Sequence, residues 1–409
     1  MLRLVTIIVA SVAIAYAAWA SAASAIYGKF APERGLQLDP NSVTALTNTT
    51  EKAAAGKDKS AFLKIARTHS ERALRRDPLA RNALRQLGQY YARTGNEAKG
   101  RQLIELSSQL SRRDSTGQLW LAEDGLKNGR TTAALRAIDT VIRTQPDTHD
   151  ATFRALGSLL VDPEFRGVFV DYVRKQPPWL KPFVEYNITA LPNPEALSQT
   201  LLQIKPFPKH LLTDQSAGTL LTMLVNRAPI QQARDFYTRL PGSNSKALTS
   251  LAFTRPADAL RFPPFGWELL SDNNVQGFGD ADRDSFTIEA LAMPGRRGIA
   301  ARKILFLTPG SYRWSGDANV SEMRDRAVGS VALYCNKAPG TWTPLSRKDL
   351  VSGVNTADFT VDAKCAAQML TIETLGSESQ SDASMAVSAM RLVRLQGAAT
   401  ASRTASQPL

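Results

Sequence analysis

LRQLGQYYARTGNEAKGRQLIELSSQL (84–110) and QLWLAEDGLKNGRTTAALRAIDTVIRT (118–144) decide how this chain reads, because the second stretch lies 34 residues after the first. At that offset Leu87 meets Leu121, Gly95 meets Gly129, Gly100 meets Ala134 and Ser107 meets Val141. Ala66 and Ala73 fall into the same columns one period earlier, and Pro78, Arg112 and Pro146 punctuate three successive units. A 34-residue period in helix-rich sequence marks stacked helix-turn-helix units. Small residues at the helix crossings let two helices approach closely, and glycine frees the turn between them. Arrays of this kind present surfaces to partners and rarely do chemistry.

Leu87-Gly88, Tyr91, Gly95, Gly100, Ile104 and Ser107 resemble one tetratricopeptide repeat; Leu121-Ala122, Gly125, Gly129, Ala134, Ile138, Val141 and Pro146 resemble the next. Arg112 stands where that family prefers proline, and Gly100 and Ser107 where it prefers alanine. The resemblance is clearest over residues 60–150. It weakens towards 250, because the phase slips at Ala155-Leu156-Gly157. It implies an all-α solenoid over residues 29–250, the first helix of each pair lining a concave face. Carried through the Leu87 and Leu121 columns, the partner-facing stripe is Asn82, Arg85, Gln89 and Arg93, then Thr116, Glu123 and Lys127. Arg85, Gln89 and Arg93 are four apart and share one helical face, with Leu84, Leu87 and Tyr91 opposite. Two arginines on one stripe suit a carboxylate-bearing partner segment.

Residues 1–28 read as a transmembrane anchor. Leu4 to Tyr27 carries no charge, with Arg3 before it and Lys29 after it, and a span needs about 20 apolar residues. Ala23-Ser24-Ala25 also fits a signal-peptidase site, so a cleaved leader is the alternative. Either reading exports the rest of the chain. In an oxidising compartment the only two cysteines, Cys335 and Cys365, are expected to form one disulfide.

Charge is unevenly shared. Residues 1–261 hold 35 Lys and Arg against 22 Asp and Glu, whereas 262–395 hold 14 against 15. The basic excess therefore sits on the array, where an anionic lipid surface, an acidic polymer or an acidic protein could meet it. Export excludes nucleic acid as a partner. Asn41 to Lys59 reads as a loose polar connection, and residues 251–263 as a linker.

After Pro263-Pro264 the texture changes to short apolar runs bounded by Gly, Asn and Asp, among them Ser285–Leu291, Lys303–Leu307, Gly329–Cys335, Met369–Leu375 and Ala386–Leu395. That spacing predicts an antiparallel β-sandwich over residues 264–395, with a polar disordered tail at 396–409. The order of elements, with Leu307-Thr-Pro-Gly-Ser-Tyr312 ahead of the cysteine-bearing strands, resembles jelly-roll carbohydrate-binding modules. The resemblance implies ring platforms for sugars, and Tyr312, Trp314 and Trp342 are the candidates; burial in the core is the competing reading of each ring.

No catalytic constellation is legible. His69, His149 and His210 lie far apart, none beside a nucleophile. Ser243-Asn-Ser-Lys246 has Ser-x-x-Lys spacing but follows Pro241-Gly242 and lacks its companion motifs. Asp280-Ala-Asp282-Arg-Asp284 begins like a calcium loop, yet Ser285 and Leu291 replace the glycine and glutamate it requires. Neither cofactor nor resident metal is expected. The three parts together resemble bacterial envelope proteins that accompany extracellular polysaccharide synthesis or secretion. The expectation is a non-enzymatic inner-membrane scaffold, its bulk in the periplasm, whose repeats hold a protein partner and whose sandwich holds glycan or a second protein, with an acidic glycan among the expected partners. A general envelope adaptor is one alternative. The other is a polysaccharide-acting enzyme, with Asp280, Asp282 and Glu289 as its nearest carboxylates.

Overall fold

The computed structural model describes residues 2–409 except 57, 191–192, 209, 254, 283–284, 321–328, 377–382 and 396–409; the side chains of 2–10, 59 and 383 are also outside the described set. The expected tail thus lies outside the described residues. Helices α1 (Leu2–Phe30), α2 (Pro32–Leu38), α3 (Val43–Ala55), α4 (Lys59–Arg76), α5 (Arg81–Arg93), α6 (Glu97–Leu110), α7 (Ser115–Lys127) and α8 (Thr131–Thr144) are followed by α9 (His149–Leu159), α10 (Pro163–Val173), α11 (Leu180–Ala190), α12 (Pro194–Gln203), α13 (Asp214–Arg227) and α14 (Ile230–Arg239). The strands are β1 (Glu268–Leu269), β2 (Val275–Ala281), β3 (Phe286–Ala292), β4 (Arg297–Leu305), β5 (Gly310–Val320), β6 (Gly329–Ala338), β7 (Thr341–Leu350), β8 (Gly353–Val361), β9 (Gln368–Leu375) and β10 (Ala383–Arg394). The chain divides into two compact units, residues 1–152 and 153–409. That division differs from the one expected from sequence, since residues 153–250 group with the sandwich and not with the repeats.

In the first unit the 34-residue period has a local cause. Gly95 and Gly129 adopt φ of +93° and +67° just past the ends of α5 and α7. The following amides, of Asn96 and Arg130, donate back to the carbonyls of Tyr91 (2.9 Å) and Gly125 (2.7 Å). Each is a glycine-terminated helix stop that turns the chain straight into the next helix. Asn96 then caps α6 by accepting from the Lys99 amide. Gly88 and Gly100 mark a helix crossing: a Cβ on Gly88 would lie 2.7 Å from the Gly100 carbonyl oxygen.

The expected loose connection at 41–59 is instead mostly helix. Ser42 caps α3, and Thr47, Thr49 and Thr50 return hydrogen bonds to carbonyls four residues back, so their hydroxyls do not compete with the helix. Leu46 and Thr50 are fully buried. Helix α1 is unbroken over 29 residues. Its far end packs into the unit, with Ser24 Oγ donating to the Gly35 carbonyl and Asn48 Nδ2 to the Gly28 carbonyl. Residues 11–19 are exposed on every side. Among the described residues no helix is long and apolar enough to cross a membrane; the apolar side chains of Leu4–Val9, part of the expected span, lie outside that set.

In the second unit two five-stranded antiparallel sheets face each other, ordered β1-β4-β9-β6-β7 and β2-β3-β10-β5-β8. Their shared core includes Trp267, Ile288, Trp314, Leu333, Ile372 and Val387. Strands β2, β5 and β7 were not among the apolar runs read from sequence, because the Gly, Asn and Asp residues of β2 and β5 mimic turns and β7 is mostly polar, with Pro344 inside it. The expected linker 251–263 is packed, with Leu251, Ala259 and Phe262 all buried.

Lys303 on β4 is completely buried, its ammonium donating to the Phe265 carbonyl and standing 5.0 Å over the Phe253 ring. Burial lowers its pKa from 10.5 to about 7. Below about pH 7 both states hold the proton; between about 7 and 10.5 only the unfolded chain does, so folding stability rises across that window. Lys303→Met should remove this rise, which reaches at most about 1.4 kcal/mol per pH unit, and should be the more stable protein at neutral pH. Urea unfolding of both proteins from pH 6 to 10 checks it: parallel pH profiles would refute the assignment.

Candidate functional site

The two outer faces of the sandwich have different fates. The outer side of the first sheet is covered by helices of the same unit. Phe265 lies between Tyr237 of α14 (ring centroids 5.0 Å) and Phe306 just after β4 (5.7 Å), and Arg234 of α14 stands 5.2 Å over the Phe306 ring. The Phe306 amide donates to the Leu248 carbonyl, and at the β6–β7 turn the Gly340 amide donates to the Val225 carbonyl of α13. Gly340 has φ +66°, and a Cβ there would stand 2.9 Å from the Asn226 carbonyl oxygen. This face is spent on packing.

The outer face of the second sheet is open. Register places Phe278 of β2 opposite Glu289 of β3, Glu289 opposite Ala386 of β10, and Ala386 opposite Asn319 of β5. These residues, with Leu291 and Ser384, line a shallow cleft of about 470 Å³. One row along lie Asp280, opposite Thr287, and Asp317, opposite Ser388. The Phe278 ring is 49% exposed, held at the cleft edge between Gly277 and Gly279. An apolar ring flanked by carboxylate and amide groups is chemistry suited to a hydroxyl-rich ligand: the ring covers an apolar face, and the polar groups exchange hydrogen bonds with its rim.

The aromatics expected to form a sugar platform are not brought together. Trp314 is fully buried between the sheets, and a Cβ on Gly316 would meet its ring at 2.7 Å. Tyr312 is buried too, stacked on Phe359 (5.9 Å) with its hydroxyl donating to the Thr308 carbonyl. Both point inward because β5 begins at Gly310, so Tyr312, Trp314, Ala318 and Val320 share the core row while Ser311, Arg313, Ser315, Asp317 and Asn319 take the solvent row. Trp342 is half-buried on edge strand β7 of the covered sheet. Phe278 was not among the ring candidates; alternation along Gln276, Phe278 and Asp280 was the available signal.

Of the carboxylates named for an enzymatic reading, Asp280 and Glu289 share the open face. Asp280 is diagonal to Glu289 across the β2–β3 ladder, a Cα separation of roughly 7–8 Å. Asp282 lies beyond the end of β2, and Asp284 is outside the described residues. No cluster of metal-ligating side chains occurs among the described residues.

On the repeats, the expected partner-facing stripe divides. Arg85 is a correction: its guanidinium is 4% exposed, donating to Glu51 of α3 (2.7 Å) and ion-paired with Asp114 at the start of α7 (3.0 Å). It ties three helices together and is not presented to a partner. Gln89 is buried as well, and Asn82 is half-buried. Arg93, Thr116, Glu123 and Lys127 are exposed, although Arg93 lies 4.7 Å over the Phe62 ring and Lys127 pairs with Glu97. Helical spacing alone put Arg85 on the same face as Arg93; α3, folded over that face, buries one and not the other. A second buried hub joins α6, α7 and α8, where Asp124 receives both Arg101 (2.7 Å) and Arg130. The Arg101 hydrogen bond holds the Asp124 carboxyl below the usual carboxylate range.

Cys335 and Cys365 form the expected disulfide, with Cα atoms 5.5 Å apart. It closes β6 onto the turn before β9, since Cys365 precedes the strand.

No protein-family model matches this sequence, and no curated protein matches it. Solved structures do match over the sandwich. A family 4 carbohydrate-binding module is 12% identical, with 31% of this chain and 92% of that one covered and a TM-score of 0.23. A family 61 module in complex with β-1,4-galactotriose is 13% identical, covering 32% and 88%, with a TM-score of 0.20. The N-terminal cellulose-binding domain of a Cellulomonas fimi β-1,4-glucanase is 15% identical, covering 32% and 91%, with a TM-score of 0.21.

Proposed function

We propose that this protein is a non-enzymatic, membrane-anchored envelope scaffold whose sandwich holds glycan on the open face of its second sheet and whose repeats hold a protein partner, in the synthesis or secretion of extracellular polysaccharide. The observation that carries the glycan reading is the asymmetry of the sandwich: one outer face is sealed by helices, while the other displays Phe278 beside Glu289 and Asn319 over an open cleft. The anchor is supported by α1, where Val12, Ile14, Tyr16 and Trp19 are each more than half exposed with no protein packed on them. Water disfavours such a surface and a bilayer does not. Tyr16 and Trp19, 5.9 Å apart, suit the interfacial level, just before α1 packs into the first unit. The disulfide fits an oxidising compartment such as the periplasm.

Phe278→Ala should weaken retention in glycan affinity electrophoresis by roughly tenfold, the size expected for losing one ring contact of about 1–2 kcal/mol. The half-exposed ring contributes little to the core, so the thermal midpoint should move by no more than a few degrees. Retention equal to the parent protein on every glycan tried would end the sandwich reading. The enzymatic alternative is separable, since reducing ends released from polysaccharide by the parent protein and not by Glu289→Gln would replace the scaffold with a hydrolase.

A further inference from the structure

A cleft on the repeats lies away from the expected stripe. It runs between α6 and α8 over α7 and encloses about 670 Å³. One wall is the α6 row Glu105, Ser108 and Gln109, continued by Arg112 in the turn after α6; the other is the α8 row Ala133, Arg136, Thr140 and Arg143. Both rows have the three- and four-residue spacing of a single helix face. Gln118 and Leu121 of α7 form the floor, where Gln118 is buried and its amide donates to Ser108 Oγ at 2.9 Å. Alanine and serine leave the space open where larger side chains would have closed the two helices together.

The charge of this cleft is one-sided. Arg112, Arg130, Arg136 and Arg143 line it, against Glu105 and Asp139. Asp139 is already engaged, both oxygens accepting from Arg143 Nε at 2.9 and 2.8 Å. Arg130 is held by the buried Asp124. Arg112 and Arg136, on opposite walls, have no ion-pair partner among the described residues and are both exposed. Arg136 and Arg143 are seven residues apart, about 10 Å along the helix axis, so one small anion does not reach both.

We propose that this cleft binds a short run of carboxylate-bearing sugar, an oligouronate, bridging Arg112 and Arg136. Guanidinium groups match planar carboxylates through paired hydrogen bonds. The choice of sugar over acidic peptide rests on the rest of the lining. Peptide segments gain affinity by seating apolar side chains in pockets, and here the apolar surface is Leu121 and two alanines. Gln109 instead offers an amide that both donates and accepts, and Thr140 and Thr144, whose hydroxyls donate to the Arg136 and Thr140 carbonyls, keep lone pairs that accept from sugar hydroxyls. The site is independent of the sandwich face, whose cleft is bordered by Glu289, Asp280 and Asp317 and would repel the same ligand.

Titration calorimetry of the full-length protein tests this, with oligogalacturonate, a neutral oligosaccharide of equal length, inorganic phosphate and an oligoglutamate as probes. Oligogalacturonate should bind, more weakly as salt rises. It should lose roughly tenfold or more in affinity in Arg112→Ala/Arg136→Ala. Phe278→Ala should leave it unchanged, which places the binding on the repeats. Both arginines are exposed, so the helical circular dichroism of the double variant should match the parent; Arg136→Gln alone, expected to lose part of the affinity, serves if it does not. The proposal is overturned by absence of oligogalacturonate binding, by unchanged affinity in the arginine variants, or by phosphate, neutral sugar or oligoglutamate binding equally well.

Discussion

Trp314→Ala should destabilise the sandwich by about 3–5 kcal/mol, the cost of emptying a fully packed aromatic site. The ring fills the space between the sheets so closely that Gly316 has no room for a side chain beside it. Two neighbours sharpen the expectation. Trp314→Phe should cost clearly less, because the indole N–H is buried without a hydrogen-bond partner and its removal relieves that unsatisfied group. Glycan retention by the folded fraction of Trp314→Ala should persist, since Phe278 lies on the opposite face of the sheet. Urea denaturation followed by near-ultraviolet circular dichroism measures the first quantity, and affinity electrophoresis the second. A stable Trp314→Ala protein that has lost glycan would return the ring to the role of a sugar platform.

The second large effect concerns the repeats. Arg85→Ala should destabilise the first unit by about 3 kcal/mol, because it strands the Asp114 carboxylate, 8% exposed, without its cation. Glu51, 45% exposed, can turn to water and should add little. The double variant Arg85→Met/Asp114→Asn should recover a good part of the loss, since it removes both charges while keeping the Asp114 position able to cap α7. Guanidinium denaturation of the single and double variants decides between this and a surface role. If Arg85→Ala cost less than about 0.5 kcal/mol, the value usual for an exposed position, the buried hub would be wrong.

Some of this protein is legible without coordinates. The 34-residue period locates α5 to α8 because Gly95 and Gly129 have one physical task, a left-handed residue past the ends of α5 and α7. The cysteine pairing followed from there being only two and from the export reading. The change to strands beyond Pro263-Pro264 was also visible, as a local break in periodicity. Other elements were hidden by the same local logic. The threonines of α3 looked like a loose connection, yet they bond back to their own helix, and Leu46 and Thr50 are buried. The glycines, asparagine and aspartate of β5 looked like turn signals. Paired on both sides by β10 and β8, they are the solvent row and the close-packing positions of the longest strand but one.

What the sequence by itself determined is therefore what neighbours along the chain enforce: helix lengths, turns, the repeat period and the alternation of each strand. Which candidate residues stay available for function was decided only by tertiary structure. Arg85 and Arg93 fall on one side of a helical wheel, about 80° apart, and the packing of α3 buries the first while leaving the second exposed. Phe278 and Trp314 both stand in strands of one sheet, yet one faces solvent and the other the opposing sheet. Of the two outer faces, helices α13 and α14 seal the one carrying Trp342 and leave open the one carrying Phe278. Exposure is a property of whatever lies above a face, and residues distant in sequence supply that cover; local periodicity names the face but not its neighbour.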